Sequence, residues 1–203
     1  GQAYTYSQFE VPDARRVYTT FEQPDLKSTF TLTVKAPKGW KVFSNAPTPT
    51  PEEEGEAWIY HFATTEVMST YITAIVAGPY EGTTATLTSS DGRTIDLGVY
   101  ARASIVEHLD ADEIIEITRQ GFEFFEGAYG IAYPFTKYDQ IFVPEYNAGA
   151  MENAGCVTFR DAYVFRTRPT EAQMEARANT ILHELAHMWF GDLVTMKWWN
   201  DLW

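Results

Sequence analysis

The sequence predicts an α+β fold in which an all-β segment comes first and a mixed segment of helices and strands follows. Residues 1 to about 80 contain short runs typical of half-buried strands, and turn residues separate these runs. From about residue 104 onward, stretches with helical spacing of apolar side chains precede and follow strand-like runs. The 203 residues suit one large domain or two small ones, and 45% apolar with 15% aromatic side chains is ample for a packed core.

Three strands and one loop are predicted in the first segment. Residues 29–34 alternate with period two, and residues 58–62 and 71–76 are rich in aromatic and β-branched side chains. Residues 47–54 contain three prolines followed by three glutamates, and this composition predicts an exposed loop. Gly78-Pro79 is the best candidate for the end of the segment.

A hairpin and a helix are predicted next. Asp91-Gly92 favours a turn between strands at residues 85–89 and 94–100. Asp110 and Glu113 match a capping box, which predicts the start of a helix. Apolar residues follow at helical spacing, and we interpret them as core rather than as a cofactor site: Ile114, Ile117, Phe122 and Phe125. Two further strands are predicted, at residues 139–143 and 156–159.

The last predicted helix has clear start and stop signals. Thr170 follows Pro169 and is a good N-cap residue, and Gln173 completes a capping box. Gly191 is placed where a C-terminal glycine ends a helix. A stripe of apolar side chains can pack this helix against a core: Ile181, Leu182, Leu185, Met188 and Trp189.

This helix carries the motif His183-Glu184-Leu185-Ala186-His187. Residues four apart lie on the same helix face, so both imidazoles can reach one metal ion. Glu184 projects about 100° further round the helix, beside the metal rather than onto it. A carboxylate there can act as general base for a metal-bound water. The alternative to a metal site is a surface helix with two solvated histidines that have no function.

The spacing does not identify a third metal ligand. Catalytic zinc sites usually have three protein ligands and one open position. The remaining histidines, His61 and His108, are distant in sequence and lie in strand or loop context. An ordinary surface or core role is therefore favoured for both of them.

Charge and composition exclude several classes of partner. The formal net charge of -13 argues against a nucleic-acid surface and an anionic membrane, and it suits an amine-bearing ligand. No apolar run reaches the ~20 residues that a membrane-spanning helix needs, and no signal-peptide pattern opens the chain. Cys156 is the only cysteine, so no internal disulfide can form and nothing marks an oxidising compartment. A cytoplasmic location is expected.

The sequence patterns at both ends of the chain are typical of a truncated protein. Patterned sequence starts almost at Gly1, and residues 197–203 form an apolar-rich, helix-like stretch without a stop signal. We therefore expect a piece of a larger protein. Four side chains at this end are expected to be exposed, or buried against a second copy by self-association: Trp198, Trp199, Leu202 and Trp203.

Two motifs resemble the aminopeptidase N family of zinc metallopeptidases, the gluzincins, in its bacterial type. The family's exopeptidase signature, Gly-Ala-Met-Glu-Asn, stands at residues 149–153, about thirty residues before the two-histidine motif, as in the family. Residues 8–16 are similar to a segment near the end of the family's N-terminal β-domain. Residues 17–24 depart from the usual Phe-Pro-Cys-x-Asp-Glu-Pro, a local packing change that puts no catalytic role in doubt.

The resemblance implies a division of the chain and an incomplete zinc site. Residues 1–81 would be the C-terminal part of a saddle- or sandwich-like β-domain, and residues 82–203 the N-terminal part of a thermolysin-like zincin domain. His183 and His187 would bind Zn2+, with Glu184 as general base. The family's third ligand, a glutamate, would fall at position 206, beyond Trp203, and its transition-state tyrosine lies further on. The 203-residue chain is therefore expected to bind zinc weakly or not at all, and to be inactive.

The resemblance also implies a substrate site for peptides with a free N-terminus. Glu152 and Glu10 would hold the α-ammonium by charge-assisted hydrogen bonds, with Gln8 close by. Gly149 and Ala150 would let the substrate backbone approach, as along a strand edge. Met151 and Asn153 complete the signature, and Asn153 is expected to fix the loop. The implied activity is that of a zinc-dependent aminopeptidase, a hydrolase and metalloprotease that removes N-terminal residues from peptides by proteolysis.

Two other functions stay open. One family branch also opens a lipid epoxide at the same metal, but it typically has Gly-Gly-Met-Glu-Asn, so Ala150 argues against it. Some relatives keep the fold as a non-catalytic interaction module after losing the metal motif, and the intact histidines argue against that for the whole protein. The preferred N-terminal residue and the oligomeric state are not determined by the sequence.

Overall fold

The computed structural model describes residues 1–202. Strands in this range are β1 Thr5–Tyr6, β2 Thr33–Pro37, β3 Lys41–Ser44, β4 Glu52–Glu54, β5 Ala57–His61, β6 Ile75–Gly78, β7 Tyr80–Thr88, β8 Thr94–Arg102, β9 Lys137–Val143, β10 Ala150–Met151 and β11 Cys156–Arg160. The α-helices are α1 Ala111–Tyr129 and α2 Glu171–His187. The α+β class predicted from the sequence is confirmed, with an all-β part first.

The N-terminal part consists of two small antiparallel sheets. One has the strand order β1-β6-β3 and the other β2-β5-β4. Between them lies a small core of buried apolar side chains: Ala36, Val42, Ala46, Tyr60, Phe62 and Ala77. In the first sheet β3 and β6 are buried along most of their length, whereas β4 in the second sheet is exposed throughout.

The second part is a five-stranded mixed sheet of order β10-β11-β9-β8-β7. β7 and β8 form an antiparallel hairpin, whereas β9 runs parallel to both β8 and β11. Parallel neighbours need a crossover connection, and α1 supplies it between β8 and β9. The helices α1 and α2 pack against each other and against this sheet, so the motif helix rests directly on the main core.

Most of the predicted strands are confirmed. The hairpin and the strands at β5, β9 and β11 lie within a few residues of their predicted bounds. Residues 29–34 were predicted as a strand, but β2 begins only at Thr33. Within the predicted loop, Glu52–Glu54 forms a short exposed strand. The predicted division at residues 81 and 82 falls near the start of β7, and it stays a prediction.

The strand predicted at residues 71–76 is largely wrong. Thr70–Ile72 forms a buried 3-10 turn, and β6 begins at Ile75. The cause is the side chain of Asn45, which donates to the carbonyl of Ile72 and accepts from the N–H of Ala74, both at 2.9 Å. A distant side chain thus satisfies backbone groups that a ladder would otherwise pair.

The two helix starts differ in their chemistry. At α2, Thr170 accepts from the Gln173 N–H at 3.3 Å and Gln173 Oε1 accepts from the Thr170 N–H at 2.8 Å, so the predicted capping box is confirmed. At α1 the helix begins after Asp110 as predicted, but the capping box is wrong, since Asp110 makes no cap hydrogen bond. Asp110 and Glu113 instead accept from the buried Arg177 Nη2 of α2, at 3.0 and 2.6 Å.

The motif helix ends earlier than the glycine signal predicts. α2 stops at His187, and the next turn is widened by backbone bonds from Asp192 to His187 and from Leu193 to Met188. Gly191, with a φ of 141°, ends this widened turn instead of the helix itself. The consequence is that His187 stands at the last helical position, buried, with the widened turn packed against it through the Phe190 carbonyl.

The prediction for the C-terminal aromatic residues is correct only in part. Trp198 is 52% exposed. Trp199 and Leu202, however, pack on the main core, and the Trp199 ring meets Tyr71 edge-on at 5.4 Å. Trp203 lies outside the described residues. Within residues 1–202, no helix is long and apolar enough to cross a membrane.

Candidate active site

The helix α2 brings together its two histidines, the exposed His183 and the buried His187. The Nε2 atoms of His183 and His187 are 3.0 Å apart, and the rings stand at 86° with their centroids 4.5 Å apart. Their spacing of four residues places both on one helix face. The geometry predicted from the motif is therefore present.

The ring of His187 is held in one tautomer. Its Nδ1 lies 2.9 Å from the carbonyl oxygen of Phe190. Because a carbonyl can only accept, Nδ1 carries the proton and the lone pair of Nε2 points toward His183. Burial lowers the pKa of both imidazoles, and the neighbouring His187 lowers that of His183 further. Neutral imidazole is the form that binds metals.

Glu184 is buried beside the histidine pair. It is 4% exposed, and its Oε2 atom has no hydrogen-bond partner among the described residues. Burial, followed by the charges of Glu152 and Glu10, raises the pKa of Glu184 to about 9. The carboxyl groups of Glu152 and Glu10 thus disfavour the charged form of Glu184, and a bound cation would act in the opposite direction.

The residues present fit a zinc ion in part. Two nitrogens bound tetrahedrally to one zinc would be about 3.3 Å apart, close to the observed separation. Within residues 1–202 no third His, Cys, Asp or Glu joins the pair to complete a metal-binding group. His61 and His108 lie elsewhere, beside Glu52 and Glu107 respectively.

The signature residues 149–153 form the edge of the main sheet. Ala150 and Met151 pair with Phe159 and Thr158 of β11, and the other side of β10 is unpaired within the described range. The carbonyl of Gly149 accepts from the Arg160 N–H at 3.0 Å. A Cβ at Gly149 would meet nothing closer than the Tyr163 hydroxyl at 3.7 Å, so the space beside it is open.

Hydrogen bonds from two parts of the molecule fix the end of the signature and the residues that follow it. Asn153 is fully buried and donates to the Thr158 hydroxyl at 3.4 Å, in keeping with a loop-fixing role. Asn45 of the N-terminal part donates to the carbonyl of Ala154 at 2.9 Å. Gly155 has a φ of 63°, and a Cβ there would lie 2.8 Å from the carbonyl of Lys137, so no other residue fits without strain.

The N-terminal segment contributes two predicted residues to the same site. Gln8 donates from Nε2 to the sulfur of Met151 at 3.1 Å. Glu10 is half-buried, and its pKa is raised by burial and by the charge of Glu152, while His187 acts in the opposite direction. The structure therefore gathers all ten predicted site residues around the motif helix and the sheet edge, from segments about 140 residues apart.

Comparison with known proteins decides the family. Residues 1–72 match the model of the peptidase M1 N-terminal domain, and residues 113–203 match that of the peptidase family M1 domain. The chain belongs to the peptidase M1 family. It is 61% identical over its whole length to aminopeptidase N of Streptomyces lividans, and spans 23% of that protein.

More distant relatives match over almost the whole chain. Over 97% of the chain, the identity is 40% to tricorn protease-interacting factor F2 of Thermoplasma acidophilum and 37% to human aminopeptidase N. The chain spans 24% and 21% of these two proteins. Less than a quarter of each relative is therefore represented.

One group in this M1 site was missed by the sequence analysis. Asp192 is 1% exposed, and neither carboxylate oxygen has a partner among the described residues. Burial and the charges of Glu152 and Glu184 raise its pKa, whereas Lys27 acts in the opposite direction. Lys27 Nζ donates to the backbone carbonyls of Asp192 and Leu193, at 2.7 and 3.0 Å. The only available signal was a charged residue directly after the glycine that ends the turn.

Proposed function

We propose that this chain is part of a zinc-dependent M1 aminopeptidase, which removes single residues from the free N-termini of peptides. The observation that carries this proposal is the paired Nε2 atoms of His183 and His187 beside the buried Glu184. Carboxyl groups from two distant segments, Glu10 and Glu152, act electrostatically on that same site. Metal ligands, a base and an acceptor for an ammonium group are then present together.

Glu10 and Glu152 are suited to bind the α-ammonium of a substrate. Burial is the largest cause of the raised pKa of Glu10, and the negative charge of Glu152 raises that pKa further. A substrate ammonium placed between them would relieve this repulsion and form charge-assisted hydrogen bonds with both. An N-acetylated peptide has no such charge. The pair therefore favours free N-termini over blocked ones.

Glu184 is suited to move the proton. A zinc ion, if held by the imidazoles of His183 and His187, would supply Lewis-acid activation of water and of the scissile carbonyl. Glu184 is not one of the ligands, so its carboxylate can take a proton from the attacking water and pass it to the leaving amine nitrogen. Its burial keeps bulk water away from this transfer. The Phe190 carbonyl meanwhile holds His187 in the metal-binding tautomer.

The edge of β10 is suited to bind the substrate main chain. Its outer backbone groups are not taken by another strand within residues 1–202, and Gly149 leaves the adjoining space open. An extended peptide can pair with such an edge as an additional strand. The N-terminal residue of that peptide would then point toward Glu152, the next residue after β10.

Full activity is proposed to need residues beyond this chain. The described range offers two imidazoles without a third donor, whereas catalytic zinc sites usually have three protein ligands. The third ligand and the residue that stabilises the transition state would come from the remainder of the protein.

The proposal is tested on the full-length protein with two peptides that differ only in N-terminal acetylation. We expect zinc-dependent release of the first residue from the free peptide and little or no cleavage of the acetylated peptide. Mass spectrometry of the products measures both outcomes. Equal cleavage of both peptides would refute the assignment as an aminopeptidase. Cleavage that survives complete zinc removal would refute the metal's role.

A further inference from the structure

We infer that Tyr146 is a positioning residue for substrate binding, acting through the side chain of Gln8. This inference rests on the proposed function and deepens it. The Tyr146 hydroxyl donates to Gln8 Oε1 at 2.6 Å, and Gln8 Nε2 in turn donates to the sulfur of Met151 at 3.1 Å. Tyr146 is 8% exposed, so water competes poorly for this bond.

The hydrogen bonds around Tyr146 all run in one direction. Asn153 donates to the Thr158 hydroxyl, and Thr158 donates to the Tyr146 oxygen, both at 3.4 Å. The single proton of the Tyr146 hydroxyl is then directed to Gln8. A relay of this kind connects the buried end of the signature segment to the N-terminal part of the chain.

This arrangement determines which way the Gln8 amide faces. A primary amide presents two acceptor lone pairs on oxygen and two donors on nitrogen. With the oxygen toward Tyr146 and the nitrogen toward Met151, which directly precedes Glu152, one oxygen lone pair stays available for a substrate ammonium. A flipped amide would place N–H donors there instead, and these repel an ammonium group. Tyr146 therefore keeps an acceptor available for the substrate.

The backbone near Tyr146 is held by a second tyrosine. Tyr6 of β1 packs edge-on against the Tyr146 ring at 5.4 Å, and its hydroxyl donates to the carbonyl of Glu145 at 3.3 Å. Glu145 has a φ of 54°, which is uncommon for a residue other than glycine. The ring of Tyr146 is thus fixed independently of its hydroxyl, and Tyr146→Phe should remove the bond to Gln8 without moving the loop.

Tyr60 provides a matched control. Its hydroxyl also donates at 2.6 Å, to the carbonyl of Trp40, and its side chain is 3% exposed. This bond lies in the N-terminal sheets, away from the histidine pair. Tyr60→Phe therefore removes an equally short hydrogen bond from a tyrosine that is also buried, and any effect common to both variants is one of general stability.

The test measures binding to the full-length, zinc-loaded protein by isothermal titration calorimetry. The probes are L-leucinol, which has a free α-ammonium and no scissile amide bond, and N-acetyl-L-leucinol, which has no α-ammonium. We expect the wild type to prefer the free amine and Tyr146→Phe to reduce that preference about 3- to 10-fold, the effect of one net hydrogen bond. Tyr60→Phe should leave the preference unchanged.

A double-mutant cycle tests whether Tyr146 acts through Gln8. In a Gln8→Ala background, Tyr146→Phe should cause no further loss of preference, because the amide it orients is absent. An undiminished effect in that background would overturn the inference. So would a Tyr146→Phe protein that behaves like Tyr60→Phe, and in both cases the proposed function would stand. A wild type with no preference for the free amine would instead refute ammonium recognition itself, and the inference with it.

Discussion

Two glycines in α1 should respond in opposite ways to the same substitution. Gly121 faces α2, and a Cβ there would lie 2.7 Å from Cδ2 of both Leu182 and Leu185. Gly127 is exposed, and a Cβ there would meet nothing within 4 Å. Gly121→Ala therefore adds a methyl group to the contact between the helices, whereas Gly127→Ala adds one to solvent-exposed surface.

The magnitudes follow from two opposing effects. Replacing a helical glycine by alanine gains about 0.5–1 kcal/mol through lower backbone entropy in the unfolded chain. At Gly121 this gain is opposed by overpacking, which costs about 1–3 kcal/mol when core side chains must shift. We expect the leucine ends to give way only partly, because Leu185 is fully buried. Gly127→Ala should stabilise the protein, and Gly121→Ala should destabilise it by about 0.5–2 kcal/mol.

Equilibrium urea unfolding followed by far-UV circular dichroism measures both effects. The midpoints should move in opposite directions while the slope with denaturant stays the same, since neither change alters the surface exposed on unfolding. The gap between the two variants isolates the packing cost, because the entropy gain is common to both. Equal stabilisation by both substitutions would show that the helices do not require a glycine at this crossing.

Three further outcomes concern the proposed active site of the full-length protein. Glu184→Ala should abolish nearly all peptidase activity while zinc content by metal analysis stays stoichiometric, and retained turnover would refute its role as base. Glu152→Gln should lower kcat/KM for an aminoacyl-anilide by tens to hundreds of fold, since each charged hydrogen bond contributes roughly 1.5–3 kcal/mol, whereas the exposed control Glu53→Gln should have no effect. The isolated 203-residue chain should bind zinc about a hundred- to a thousand-fold more weakly than the full protein, because one missing ligand costs roughly 3–4 kcal/mol. Tight zinc with turnover in that chain would contradict the need for a further ligand.

Features that depend on neighbouring residues could be predicted from the sequence. The helix α2 begins at its capping box, and its two histidines meet because residues four apart lie on one face. The hairpin of β7 and β8 is predicted by the turn residues Asp91-Gly92 and is confirmed. In each case the interacting groups are a few residues apart, so the local pattern contains the whole interaction.

The signature residues were identified from the resemblance, not from local physics. A glutamate in a loop has no pattern that separates it from a solvated one. Their proximity to Gln8 became visible only in the fold, where β1 and β10 bring segments about 140 residues apart into hydrogen-bond distance.

Only the tertiary structure decided which backbone groups and charged side chains are contacted by side chains from distant parts of the sequence. The side chain of Asn45 donates a hydrogen bond to the Ile72 carbonyl, where the sequence predicted a strand. The side chain of Arg177 donates to Asp110 and Glu113, which the sequence predicted to form a capping box. The sequence alone determined the geometry of the motif helix, because hydrogen bonds and side-chain spacing within a helix are local. The sequence could not determine which polar groups from distant segments would be buried together, because that depends on how the sheets and helices pack against each other. The buried Asp192 is one such group.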